Sequence, residues 1–230
     1  MTDPRNHFDA IAEQYDTSLP EHVQAHYRRK RTKLIGPLIN GGEGLDVGCG
    51  TGLLMEALKP YGRLVGVDGS SGMVAVLKRH DRGDALVGPT YELPFADDRF
   101  EVVFCVAVLH HVADPARVRE TLREMARVTR PGGHVVIWDH NPRNPYWPSL
   151  MARAPQDTGE ERLIPAEEIL DVLRSTGVEN ARVLKSGFVP EFVPAWLMPI
   201  ARLGEAVLER LPLVREYAAH NVVIARKPKR

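Results

Sequence analysis

Two sets of residues in this 230-residue chain have the types and spacing to do chemistry. The first is Asp46-Val47-Gly48-Cys49-Gly50-Thr51-Gly52, with Asp68 standing sixteen residues after Gly52, at the end of Leu64-Val65-Gly66-Val67. Glycines at this turn permit positive φ and carry no side chain, so a ligand can come close to the backbone. The helix expected next, over 53–58, aims its free N–H groups at that ligand and favours an anionic group there. An acid closing the neighbouring strand can accept two hydrogen bonds from a ribose diol. The second set is imidazole: His110, His111 and His140, the last following Asp139 directly. Histidine beside an acid at a strand end suits proton transfer near neutral pH. No metal triad is apparent from spacing.

These residues need elements to hold them. A short apolar run, a glycine turn, a helix and a second apolar run ending in an acid make the first β-α-β unit of a doubly wound nucleotide-binding sheet. Further strands are expected at 85–87, 102–106, 134–138, 181–188 and 221–225. The run 102–106 is wholly apolar, as a central strand buried on both faces should be, and it ends just before the His110-His111 pair. Ser70 is placed to cap a helix that runs from there to about residue 78 or 80. Asp114 and Pro115 are placed to cap and start another, reaching about residue 128. A third spans 165–175 and stops at Gly177. Residues 144–159 are proline-rich and aperiodic, which reads as a lid or substrate loop.

Residues 1–40 read as a helical cap, with Phe8, Ile11, Ala12 and Tyr15 forming one apolar stripe. Arg28, Arg29, Lys30, Arg31 and Lys33 crowd into six positions; a solvated helix face is expected, with phosphate binding as the alternative. Late in the chain, 190–220 is too long for a hairpin link. Ile200, Leu203, Val207, Leu208 and Leu211 form an apolar stripe opposite Arg202, Glu205 and Glu209. Packing over the N-terminal cap is the expected role of that stripe; walling an acceptor pocket or touching a membrane is the alternative.

Thirty basic and thirty acidic residues cancel, so no global field draws the chain to nucleic acid. Cys49 and Cys105 have no metal-ligand neighbour at suitable spacing and read as reduced, partly buried thiols. At 43% hydrophobic content, the chain can bury one full core, and a single domain over 1–230 is expected: cap 1–40, ligand-binding core 41–140, substrate loop 141–160, insertion 190–220. No signal peptide opens the sequence and no apolar run has transmembrane length, so a cytoplasmic protein without an integral membrane segment is expected.

A dinucleotide fingerprint requires Gly-x-Gly-x-x-Gly, and Leu53 stands where its last glycine belongs. The Gly-x-Gly-x-Gly that is present, with Asp46 before it, resembles the first motif of class I S-adenosylmethionine-dependent methyltransferases. Leu93-Pro94-Phe95, Leu109-His110-His111-Val112 followed by Asp114-Pro115, and Arg130-Pro131-Gly132-Gly133 follow in the family's order. Together these motifs resemble the small-molecule branch, similar to quinone-type methyltransferases. The resemblance implies a Rossmann-like α/β fold with a seven-stranded sheet in order 3-2-1-4-5-7-6, mostly parallel with an antiparallel last strand. S-adenosyl-L-methionine is the implied cofactor.

Carried onto this chain, the family pattern puts Asp46, Gly48, Cys49, Gly50, Cys105 and Val106 around the cofactor, with Asp68 and Gly69 at its ribose. Tyr15 would contact the methionine end, or serve only as an anchoring aromatic. Met73 would pack on adenine, or belong to the core. Gly83-Asp84-Ala85 copies the family's adenine acid, but at the wrong place. Counting back four residues from Leu93 lands on Pro89, so adenine contact falls to Pro89, Thr90 and Tyr91.

Methyl transfer from a sulfonium is an in-line displacement helped mainly by positioning. Only a protonated acceptor needs a base, and His140, His110 and His111 are the candidates. The expected reaction is O-methylation of a small-molecule acceptor, hydrophobic or lipid-linked among the options. Transfer to carbon or nitrogen, and cofactor binding without transfer, are the alternatives. Oligomeric state is open.

Overall fold

The computed structural model describes residues 4–154 and 156–229. Two helices open the chain, α1 (Pro4–Ile11) and α2 (Glu21–Ile39), joined by a 3-10 turn over Ala12–Thr17. Then β1 (Glu43–Val47), α3 (Leu53–Leu58), β2 (Arg63–Asp68), α4 (Ser71–Arg79) and β3 (Asp84–Val87) build one half of the sheet. The other half is β4 (Phe100–Val106), α5 (Leu109–Val112), α6 (Pro115–Val128), β5 (Thr129–His140), α7 (Trp147–Met151), α8 (Ala166–Ser175) and β6 (Glu179–Ser186). It closes with α9 (Met198–Leu208) and β7 (His220–Arg226).

The seven strands form one sheet in the order β3-β2-β1-β4-β5-β7-β6, as expected. Strands β1 to β5 pair in parallel, and β7 lies antiparallel between β5 and β6. Because side chains alternate along a strand, β4 feeds both faces. Val103 and Cys105 enter a cluster with Leu122 and Met125 of α6 and Ile169 and Leu173 of α8. Val102 and Phe104 enter a second cluster with Ile35 and Ile39 of α2, Met55 of α3 and Leu77 of α4. Burial on both faces is why this strand carries no polar alternation.

The caps act as the sequence indicates: Ser70 Oγ accepts from Met73 N at 3.1 Å, and Asp114 Oδ1 accepts from Arg117 N at 2.9 Å.

Three expectations require correction. The strand expected at 134–138 begins earlier: Arg130-Pro131-Gly132-Gly133 is already part of β5, where the pairing with β4 shifts register between Phe100 and Val102. The basic stretch on α2 is not uniformly solvated: Arg29 and Lys33 are exposed, whereas Lys30 pairs with Glu205 at 2.9 Å and Glu209 at 2.5 Å. Helix α9 is turned the opposite way from expectation. Glu205 is 4% exposed, while Ile200 and Leu203 are 66% and 69% exposed. The physical reason is the cationic face of α2, which offers His26 and Lys30 as partners to the acidic side of α9. Among the described residues, no helix is long and apolar enough to cross a membrane.

Candidate active site

The strands end at a cavity of about 900 Å³, bounded by the glycine turn after β1, the β4 and β5 ends, α2, α7 and the segment 187–192. At the turn, Gly48 has φ of 77° and a Cβ there would lie 2.4 Å from Val108, so only glycine fits. Gly50 has φ of 51°, and a Cβ there would meet nothing within 4 Å. Its empty side opens on the cavity wall, which is the cradle a close-fitting ligand requires. Asp68 braces this turn, accepting from Gly50 N at 2.7 Å and from Ser70 N at 2.8 Å. Burial raises its pKa despite those two hydrogen bonds. Behind the turn, burial and then the nearby Asp68 push the Asp46 carboxyl up to about 8. Arg31 opposes that shift, lines the same cavity and leaves its buried Nε without a hydrogen-bond partner.

The N-terminal cap is latched over this end of the sheet. Asp16 accepts from Thr51 Oγ1 at 2.5 Å and Arg82 Nη1 at 2.6 Å, and Asp9 accepts from Ser70 Oγ at 2.6 Å.

Deeper in the cavity the imidazoles form a stack, with His140 between His110 and Trp147 at ring separations of 4.0 and 3.5 Å. His111 lies 4.0 Å from His110 on another side. Asp139 is 1% exposed, and its Oδ1 takes the Nδ1 position of His110 at 2.6 Å. Its oxygens also accept from Leu109 N and His140 N, each at 2.7 Å. Burial pushes the Asp139 carboxyl up, but His110 and these backbone bonds outweigh it and hold the pKa low. A hydrogen bond to carboxylate assigns the proton to Nδ1 and leaves Nε2 as the base. His140 has no such support: its buried Nδ1 lacks a partner, and burial followed by repulsion from His110 drives its pKa well down. Burial and His110 likewise lower His111 to about 4, against the opposing pull of Glu161.

A family profile described as a methyltransferase domain matches residues 45–137. Over these residues the chain is similar to that methyltransferase family, and its sheet has the strand order expected for the class I fold. A demethylmenaquinone methyltransferase of Mycolicibacterium paratuberculosis is 38% identical over 136 residues, 56% of this chain and 56% of that protein. The chain spans about half the length of the curated relatives it matches. Among solved structures, a Thermotoga maritima protein described as an S-adenosylmethionine-dependent methyltransferase, possible histamine N-methyltransferase, gives a TM-score of 0.71. It is 20% identical, with 99% of this chain and 100% of that one covered. A [4+2]-cyclase gives 0.59 at 23% identity, with 87% and 81% covered. These two likenesses describe the fold.

Tyr15, Asp46, Gly48, Cys49, Gly50, Val106, His110, His111 and His140 all line the one cavity. Asp68 and Gly69 stand behind the turn, partly buried. Met73 is 2% exposed and packs with Ala12 and Val76 beneath the cap. Cys105 is fully buried in the α6–α8 cluster. Pro89, Thr90 and Tyr91 lie beyond β3; Thr90 bonds Thr121 at 3.0 Å, and Tyr91 takes the Arg117 guanidinium over its ring. Arg31 was hidden inside the basic run, although its spacing of four from Tyr27 and from Ile35 put it on the inward stripe. Trp147, Asp157 and His220 also line the cavity and carried no sequence signal.

Proposed function

We propose that this protein methylates a hydroxyl of a small, hydrophobic, ring-bearing acceptor, with His110 as general base. The His110–Asp139 pair at the cavity floor carries the reading. When bound, S-adenosylmethionine supplies an electrophilic methyl group on sulfonium. For the chain's part, the open cradle at Gly50 and the unpartnered Arg31 Nε fit such a donor: the turn would admit its body, and the guanidinium would be available to its carboxylate. Asp68 offers acceptors for its ribose. Asp139 holds His110 in one tautomer, so that Nε2 can take the acceptor proton as the new bond forms. Tyr27, Trp147, Phe188 and Phe192 give the chamber apolar walls suited to a quinol-type ring. The likeness to demethylmenaquinone methyltransferases supports that acceptor class.

The test is production of S-adenosylhomocysteine with a panel of phenols and quinols, the methylated atom being located by NMR. His110→Ala is expected to lower kcat by about 10²–10⁴-fold while donor affinity is kept. A carbon- or nitrogen-methylated product, or an unchanged kcat in that variant, would sink the hydroxyl-and-base reading. Tight donor binding with no turnover on any acceptor would assign the protein to binding alone, an outcome the fold permits.

A further inference from the structure

Helix α9 presents its apolar side outward. Trp196, Ile200, Leu203 and Val207 follow one another at helical spacing and are 78%, 66%, 69% and 50% exposed. Leu213 beyond the helix is 84% exposed. Phe192, 72% exposed, joins this face to the mouth of the cavity it also lines. The inward side is specified by bonds. Glu205 accepts from His26 at 2.7 Å, Lys30 at 2.9 Å and Phe188 N at 2.8 Å. Glu209 accepts from Lys30 at 2.5 Å, Gly187 N at 2.8 Å and Ser186 Oγ at 3.1 Å. Rotating the helix to hide the leucines would strand these carboxylates, so the orientation belongs to the fold. A contiguous apolar face at a cavity mouth marks an interaction site.

Charge identifies the occupant. Every carboxylate of 190–220 is engaged by donors of the protein itself: Glu191 by Tyr146 Oη, Glu205 and Glu209 as above, Glu216 by Arg143 and Lys185. Arg210 and Arg215 are the exposed charges of the segment; Arg215 lies 3.9 Å from Glu216, while Arg210 has no carboxylate partner among the ion pairs of the described residues. We propose that this face docks on the surface of an anionic phospholipid bilayer, with α9 in the interfacial plane and the cavity mouth at the membrane. An interfacial helix usually supplies its own basic polar face; here the protein body occupies that side, and the two arginines provide the attraction. A second copy of the chain fits less well, since a two-fold contact on this face would bring Arg210 toward its own copy with Glu205 and Glu209 turned inward. The inference stands apart from methyl transfer, because binding is read without donor or acceptor.

The experiment is co-sedimentation of the full chain with vesicles of phosphatidylcholine alone and of phosphatidylcholine with phosphatidylglycerol. Binding is expected to the mixed vesicles, to weaken with salt, and to shift Trp196 emission to the blue. The other two tryptophans, Trp138 and Trp147, are already 1% and 9% exposed. Leu203→Glu is expected to weaken partitioning by at least about tenfold, the order of losing one buried leucine. Arg210→Glu should erase the preference for the anionic vesicles. Both sites are exposed, so thermal unfolding should be unchanged and a loss would not reflect misfolding. No binding to mixed vesicles, or binding indifferent to Leu203→Glu, overturns the proposal. A doubling of mass that Leu203→Glu abolishes, without vesicle binding, would assign the face to a second copy instead.

Discussion

At the cofactor turn, one carboxylate has two duties. Asp68 holds Gly50 N and Ser70 N in place, and under the proposed function its remaining lone pairs would accept from the donor's ribose. Asp68→Ala should therefore weaken S-adenosylmethionine binding at least tenfold, about 1.4 kcal/mol, as read by titration calorimetry. Gly50→Ala separates the cradle from the brace. A methyl there meets no protein atom within 4 Å, so the cost to folding is confined to backbone strain of about 1 kcal/mol. Donor affinity should fall by clearly more than stability does; equal affinity in this variant would mean that the ligand does not use the turn. The same scale explains why His110, rather than His140, has the partner. Consecutive residues of a strand point to opposite faces, so Asp139 cannot serve the ring that follows it and instead reaches across to the turn after β4.

Helix α9 owes its orientation to ionised groups. Burial opposes charge on Glu205, yet His26, Lys30 and Phe188 N hold its pKa at about 2. Its folded pKa lies below the unfolded value near 4.5, so the stabilisation is present above about pH 4.5 and is lost as pH falls toward 2. Glu205→Leu would remove the acid and leave Lys30 with Glu209 alone. A loss of about 2–4 kcal/mol is expected, because a half-buried cation loses a partner. Chemical denaturation at pH 7 and at pH 3 checks this: the gap between wild type and variant should narrow at the lower pH, and a constant gap would argue against an ionic role. The cap elements are tied in the same manner, through Asp9 and Asp16 reaching the loops after β2 and β1.

For the molecule as a whole, the costly feature is a set of histidines kept uncharged around one cavity. Burial, then Arg31, lowers His220 to about 3, and burial with His110 lowers His111 to about 4. Burial and its imidazole neighbours lower His140 as well. Each binds its proton more readily when unfolded, so stability is full above about pH 6.5 and falls as pH drops through 6.5 toward 4. The melting temperature should decline across that window, and His220→Asn should flatten the decline. A melting temperature level from pH 7 to pH 4 would show that these rings are solvated. Central strands buried on both faces set the background on which this local cost is tolerated.

Much of this was readable from the chain. Periods of two and 3.6, the glycine turn and the caps at Ser70 and Asp114 act over a few residues, so they specify the strands, the helices and the cofactor end without distant partners. The glycine turn and the histidines that line the cavity were visible for the same reason. What pairs across the fold was not. Asp139 adjoins His140 in sequence and bonds His110; Arg31 sits in a basic run and enters the cavity; Glu205 lies on a polar stripe and is the buried side of α9. Asp139 and Glu205 found partners on elements brought close only by the folded sheet, and a buried ion's need for them outweighed the local pattern; Arg31 enters the cavity because α2 packs across the strand ends.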